Sequence, residues 1–296
     1  METILSINNL SKQYRRIRAV DKLSFDVERG SVFGILGPNG SGKTTTLGIV
    51  LDVINQSTGS YTWFGKASSK ESRKRIGAIL ENPLFYPYLS ATRNLKIIAD
   101  IKGVAYSHID EVLKVVDLFD RRNDKFKTYS LGMKQRLAIA SAILGEPEVI
   151  VLDEPTNGLD PQGIAEVREL IVRVASRGTT IILASHLLDE VQKVCTHVVV
   201  LKSGKSLFSG KVDDVLVDAE SIELGADDID KLYEVIKTHP KVGSVEKKDG
   251  KLIVVLSEDV SSTEINDYLI NKGIVLSHLA VREKSLEEQF FKLLAK

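Results

Sequence analysis

Polar and apolar residues alternate in the opening stretches of the chain, and later stretches change to unbroken apolar runs and to helical spacing. Residues 4–8, 23–27 and 61–64 each read as a strand, the last bounded by Gly59 and Gly65, and together they predict an antiparallel layer. Apolar runs at 32–36, 149–152 and 180–183 predict short strands buried on both faces. Helical spacing appears over 44–52 and again between 92 and 145, where Leu95, Ile98 and Ala99, then Ile109, Val112, Leu113 and Val116, mark one face after another. A mostly helical subdomain over about 90–147 is expected. An amphipathic helix over 161–177 lies between the buried strands 149–152 and 180–183, an alternation that builds βαβ units into a parallel core sheet. A hairpin signal at 201–206 closes this first domain near Gly210.

The order then changes. Strands at 221–224, 242–246, 252–256 and 274–279 alternate with helices at 228–238 and 262–272, with a turn at Asp249-Gly250, giving the βαββαβ order of a ferredoxin-like α+β domain. A last amphipathic helix over 285–294 puts Leu286, Phe290 and Leu293 on one face, which is expected to pack on this small domain. Two domains, 1–212 and 213–296, suit a chain of 296 residues.

Charge narrows the partners. Lys and Arg total 40 and Asp and Glu total 40, so no overall basic field exists to recruit nucleic acid. The one dense basic run, Lys70, Arg73, Lys74 and Arg75, reads as a solvated helix edge, and no nucleic-acid partner is expected. The longest apolar runs fall far short of the roughly 20 residues that cross a bilayer as a helix, and polar residues interrupt the first turns where a signal peptide would need an apolar core. Cys195 is the only cysteine, so no intrachain disulfide is possible; a reducing cytoplasm is the expected setting and a small buried side chain the expected role.

The chemistry concentrates in three places. Gly37-Pro-Asn-Gly-Ser-Gly-Lys-Thr44 fits the P-loop pattern between a buried strand and a helix, and so predicts a bound nucleoside triphosphate. Gly37, Pro38, Asn39, Gly40, Ser41, Gly42 and Thr45 are expected to line the phosphate cradle, with backbone N–H groups turned onto phosphate oxygens at a helix N-terminus. Lys43 is expected to reach the β- and γ-phosphates and the Thr44 hydroxyl to ligate Mg²⁺. At the end of the run 149–152, Asp153 is suited to hold Mg²⁺ and Glu154 to orient the attacking water. His186 ends the next core strand, where it can hydrogen-bond both the γ-phosphate and Glu154.

With Tyr129-Ser-Leu-Gly-Met-Lys-Gln-Arg136 ahead of Asp153-Glu-Pro-Thr-Asn-Gly-Leu-Asp160, residues 2–210 resemble an ATP-binding-cassette (ABC) ATPase. The resemblance implies a P-loop α/β cassette of parallel core sheet, antiparallel layer and helical subdomain. It also implies ATP and Mg²⁺ as ligands, a second cassette paired head to tail (a homodimer), and a separate transmembrane permease. Ser130 and Gly132 would then clamp the γ-phosphate held by the opposite cassette, Asp160 would cross the dimer interface, and Tyr14 would stack on adenine. Two motifs depart from the family pattern: in the signature Leu131 and Met133 replace the third and fifth residues, and Glu81 stands where a glutamine normally touches Mg²⁺. Glu81 and Pro83, followed by Phe85-Tyr-Pro-Tyr-Leu89, resemble the branch of bacterial exporters that protect against bacitracin and lantibiotics. The segment 83–92 is expected to dock the permease at the inner face of the cell membrane. The alternatives are an ATP-gated scaffold that transmits force across a membrane, and a soluble cassette ATPase. The single cassette, and the lack of a coiled-coil insertion between P-loop and signature, speak against the soluble kind.

Overall fold

The antiparallel layer is built on a hairpin of two twelve-residue strands, β1 (Thr3–Tyr14) and β2 (Ile17–Glu28). It continues through β4 (Thr58–Trp63) to the two-residue β5 (Lys66–Ala67), in the order β2-β1-β4-β5. Both hairpin strands outrun the expected 4–8 and 23–27. Pairing shifts register between Ile7 and Leu10 and again near Lys12, and Asn9 and Lys22 take left-handed backbone angles (φ 47° and 52°). Such bulges interrupt the two-residue alternation without ending the strand, which is why the pattern shows only half of each.

Residues 2–80, 84–215, 221–256, 260–282 and 290 are described by this computed structural model. Among them, the parallel core comprises β3 (Val32–Leu36), β6 (Ile76–Ile79), β7 (Val149–Asp153), β8 (Thr180–Ser185) and β9 (His197–Lys202). An antiparallel β10 (Lys205–Lys211) completes the sheet order β10-β9-β3-β8-β7-β6. The packing of β1, β2 and β4 onto this sheet encloses α1 (Lys43–Val50), the helix that follows the P-loop. Phe25 stacks on Phe33 at 5.2 Å, and the buried Trp63 donates from Nε1 to the Val50 carbonyl at 2.7 Å. The end of α1 is thereby tied to the antiparallel layer.

The basic run forms α2 (Lys70–Lys74) and its exit, but two of its arginines are engaged rather than merely solvated. Arg73 pairs with Asp52, while Arg75 lies 3.5 Å over the Phe64 ring and pairs with Glu148. Glu148 also accepts from Arg29 at 2.7 Å, and Arg29 in turn holds Glu2, so one ion network ties the start of β1 and the end of β2 to the entrance of β7. Hydrogen bonds from Arg75 and Arg29 hold the Glu148 carboxyl down at about 2.

The helical subdomain holds α3 (Ala91–Lys102), α4 (Ser107–Val115) and α5 (Leu131–Ile143). Lys102 donates to the carbonyls of Ser141, Ala142 and Leu144 at 2.7, 3.2 and 3.0 Å, closing the C-terminal end of α5 where free carbonyls favour a cation. Burial pushes its ammonium down to about 8. On the sheet lie α6 (Pro161–Ala175) and α7 (Leu188–Val194), and a single turn, α8 (Val212–Val215), follows β10. Cys195 is buried, which raises its thiol pKa. Among the described residues no helix is long and apolar enough to cross a membrane.

The chain divides into two units, one running to Val212 and taking in Phe290, the other beginning at Asp213. The second contains β11 (Ser221–Gly225), α9 (Ile229–Ile236), β12 (Val242–Lys248), β13 (Lys251–Leu256), α10 (Ser262–Asn271) and β14 (His278–Arg282). Its antiparallel sheet has the order β12-β13-β11-β14, the ferredoxin-like arrangement. Ile222, Leu224, Leu252 and Val254 pack against Leu232, Ile236, Ile265 and Leu269 of the helices. The last strand starts later than the expected 274–279. Gly273 takes φ 74° and the Ile274 N–H bonds the Leu269 carbonyl, so Ile274 is the apolar residue of a helix stop and not the start of a strand. Of the expected helix 285–294 only Phe290 is among the described residues; it is buried and belongs to the first unit.

Candidate functional site

Register brings the three chemical segments to one edge of the sheet. Leu36 pairs with Ser185 and Asp153 with Ala184, so the P-loop, Glu154 and His186 all leave the carboxyl ends of adjacent parallel strands. Ligands bind at that edge of open α/β sheets.

The P-loop is held from behind. The Gly204 N–H donates to the Ser41 carbonyl at 2.9 Å, and the Gly204 carbonyl accepts from Asp21 of β2. Gly42, at φ 106°, sits so close to β2 that a Cβ would lie 2.4 Å from the Ala19 carbonyl. It opens α1 with no side-chain cap, which leaves the first-turn N–H groups available to an anion. Pro38, Asn39 and Gly40 are exposed at the rim; Gly37 and Ser41 are buried. The Ser41 hydroxyl has no hydrogen-bond partner among the described residues. An unsatisfied buried hydroxyl beside uncapped N–H groups fits a phosphate chain.

Lys43 is buried, and its ammonium donates to the Gly37 carbonyl at 2.8 Å. It also lies 3.2 Å from Glu154 Oε1, while the other carboxylate oxygen, Oε2, lies 2.8 Å from His186 Nδ1. A carboxylate paired with an ammonium can only accept, so Nδ1 is the donor and the imidazole is fixed in one orientation. Glu154 reaches this position through a left-handed backbone (φ 47°), with its N–H on the Ala184 carbonyl. A non-glycine residue in that region carries strain, a common mark of functional positions. Asp153 is 3% exposed, Thr44 is exposed in the first turn of α1, and Thr45 behind it is half-buried. A hydroxyl and a buried carboxylate are the hard oxygen donors that suit Mg²⁺. Glu81 lies outside the described residues.

Ser130 caps α5 by accepting from the Met133 N–H at 3.3 Å, and Asp160 caps α6 by accepting from the Gly163 N–H at 2.9 Å. A Cβ on Gly132 would point into open space, and a Cβ on Gly158 would meet Leu131 Cδ2 at 3.4 Å, so the 130–132 and 158–160 segments adjoin. Tyr14, 42% exposed, pairs with Ile17, two residues before the Ala19 that abuts Gly42.

Three features escaped the sequence reading. The brace from Asp21 and Gly204 comes from β2 and the distant β9–β10 turn; the Lys43–Glu154 contact joins residues 111 positions apart; and the buried amide of Asn94 is an asparagine in a helix's first turn that pattern alone treats as solvated.

A P-loop at the carboxyl edge of a parallel sheet, with ammonium, carboxylate and imidazole chained together beside it, defines a P-loop nucleoside triphosphatase. The comparisons give the family. Residues 20–157 match the model described as ABC transporter. The chain is 38% identical over 99% of its length to the bacitracin transport ATP-binding protein BcrA of Bacillus licheniformis, 98% of which is covered. It is 37% identical over 71% of its length to the lantibiotic transport ATP-binding protein SrtF of Streptococcus pyogenes, covering 92% of that protein. Among solved structures, a dimeric ATP-binding cassette in a post-hydrolysis state with ADP and Pi matches with a TM-score of 0.63 at 25% identity, covering 71% of this chain and 99% of that one. The chain belongs to the ATP-binding proteins of ABC transporters. It is the ATP-hydrolysing subunit of such a transporter, a class that works with transmembrane permease partners.

Proposed function

We propose that this protein drives export of peptide antibiotics of the bacitracin and lantibiotic kind, working as a homodimer of cassettes on the inner face of the cell membrane beneath a separate permease. The names of BcrA and SrtF support the substrate class. The observation that carries the chemistry is the chain from Lys43 through Glu154 to His186 at the mouth of the P-loop.

The P-loop N–H groups and Ser41 bind the phosphates, and Lys43 turns from the Gly37 carbonyl to the β- and γ-oxygens. Glu154, released from Lys43, orients and polarises the attacking water, and His186 holds that carboxylate in place while reaching the γ-phosphate. Thr44 and Asp153 are the residues that would hold Mg²⁺, which supplies charge neutralisation at the terminal phosphates. Tyr14 receives the adenine; Ser130 and Gly132 of one cassette close over the nucleotide of the other, and Asp160 crosses between them. Leu84, Tyr86 and Tyr88 are 95%, 50% and 63% exposed next to a groove lined by Ile79, Leu80, Phe85 and Ile98, a surface suited to an apolar permease segment.

A strain lacking the protein is expected to become more sensitive to bacitracin or to a lantibiotic, with resistance restored by the wild-type chain and not by Glu154→Gln. Unaltered sensitivity to both peptide classes would reject the substrate assignment.

A further inference from the structure

Asn94 is 2% exposed in the first turn of α3, a position that a solvated side chain usually occupies. Its amide is spent on the preceding loop. Oδ1 accepts from the Tyr86 N–H at 2.9 Å, and Nδ2 faces the carbonyls of Tyr86, Ser90 and Leu89 at 3.2, 3.1 and 3.4 Å. One side chain therefore sets the path of residues 86–90, the stretch that presents Tyr86 and Tyr88.

That loop is in turn knitted to the segment ahead of Ser130. The Leu89 carbonyl accepts from the Phe126 N–H and the Pro87 carbonyl from the Lys127 N–H, both at 2.9 Å, while Ser90 and Lys125 form an antiparallel bridge. Side chains follow the same route: Phe85 meets Phe126 at 5.1 Å, and Phe126 meets Tyr129 at 6.2 Å. Tyr129 is buried, with its hydroxyl on the Arg121 carbonyl, and Ser130 is the next residue.

We infer that Asn94 is a positioning residue: through the 86–90 loop and the 125–129 segment it fixes where Ser130 meets the second cassette's nucleotide. The inference rests on the proposed pairing of cassettes through Ser130 and Gly132. Buried and fully bonded amides rigidify what they join, so loop and signature move as one body.

The test uses the full chain carrying Glu154→Gln, in which ATP-loaded pairs are expected to accumulate because hydrolysis is blocked. Asn94→Leu keeps the number and branching of side-chain heavy atoms and removes every bond of the amide. Sedimentation velocity in ATP is expected to show the dimer dissociation constant raised by about tenfold or more, the effect of one misplaced hydrogen bond to phosphate. Affinity of the single cassette for a fluorescent ATP analogue stays within about twofold. Amide hydrogen exchange quickens together at 86–89 and 126–129 and is unchanged in α1. Phe85→Leu, which cuts the ring contact and leaves the amide clamp, gives a smaller loss in the same direction and serves if Asn94→Leu does not fold. Parent-like dimerisation despite faster exchange, or exchange confined to 86–89, would overturn the inference. Ser130→Arg in the same background separates the two layers: if it abolishes pairing while the Asn94 and Phe85 variants pair normally, the inference alone fails. If it too pairs normally, the role given to Ser130 fails and the inference falls with it.

Discussion

Glu154→Gln removes one negative charge from a side chain that faces two partners, and the two consequences have opposite signs. Without a carboxylate to polarise the attacking water, turnover is expected to fall by about 10²- to 10⁴-fold, the range for losing a positioned general base. Binding moves the other way. Lys43 Nζ lies 3.2 Å from Glu154 Oε1, with side chains 6% and 20% exposed, so the carboxylate competes with the triphosphate for the ammonium. Direct attraction at that distance is about 5 kcal/mol at an effective dielectric of about 20. Desolvation of both groups offsets most of it, leaving roughly 1 kcal/mol, or about fivefold in affinity. ATP is therefore expected to bind the single cassette about fivefold more tightly to the variant, as titrated with a fluorescent analogue, while phosphate release over the same concentrations collapses. His186→Ala is the control: it touches Glu154 and not Lys43, so turnover falls and affinity does not rise. Turnover within tenfold of the wild type, or weaker ATP binding in the glutamine variant, would refute the assignment.

Gly42→Ala places a Cβ 2.4 Å from the Ala19 carbonyl at a backbone angle of φ 106°, so ATP affinity measured by titration should drop by at least about tenfold as the loop is pushed off β2. Glu148→Gln addresses the ion network joining β1 and β2 to β7. Because Arg75 and then Arg29 hold the folded carboxyl at about 2, below its ordinary 4.5, its stabilisation is fully present above about pH 4.5 and is lost as pH falls through about 2. At 36% exposure the contribution is discounted to about 1 kcal/mol. Urea unfolding followed by the fluorescence of Trp63, the only tryptophan, should show that difference at pH 6 and a shrinking one as pH is lowered from 4.5; a difference that grows on acidification would contradict the sign.

Residues whose chemistry depends on their immediate neighbours were legible in the sequence. The P-loop, the carboxylates after an apolar run and the histidine ending the next strand each announce a strand followed by a reactive group, and strand register then brings them to one edge. The βαββαβ order of the second unit was legible for the same reason, since each element carries its own period and its own stop signal. What pattern could not supply is set by partners far along the chain. β6 is four residues of an edge strand, too short for a period to show, and it exists because β7 pairs with it. β1 runs on through bulges because β2 and β4 supply partners on both sides, whatever its own alternation does. Arg75 reads as solvated until Glu148 and Phe64 are placed beside it. Asn94 is the sharpest case: nothing nearby in the sequence marks it as buried, because its burial is created by the backbone of residues 86–90 folding over it. Local sequence thus reports which groups can react, and the long-range contacts decide which of them are held still enough to do so.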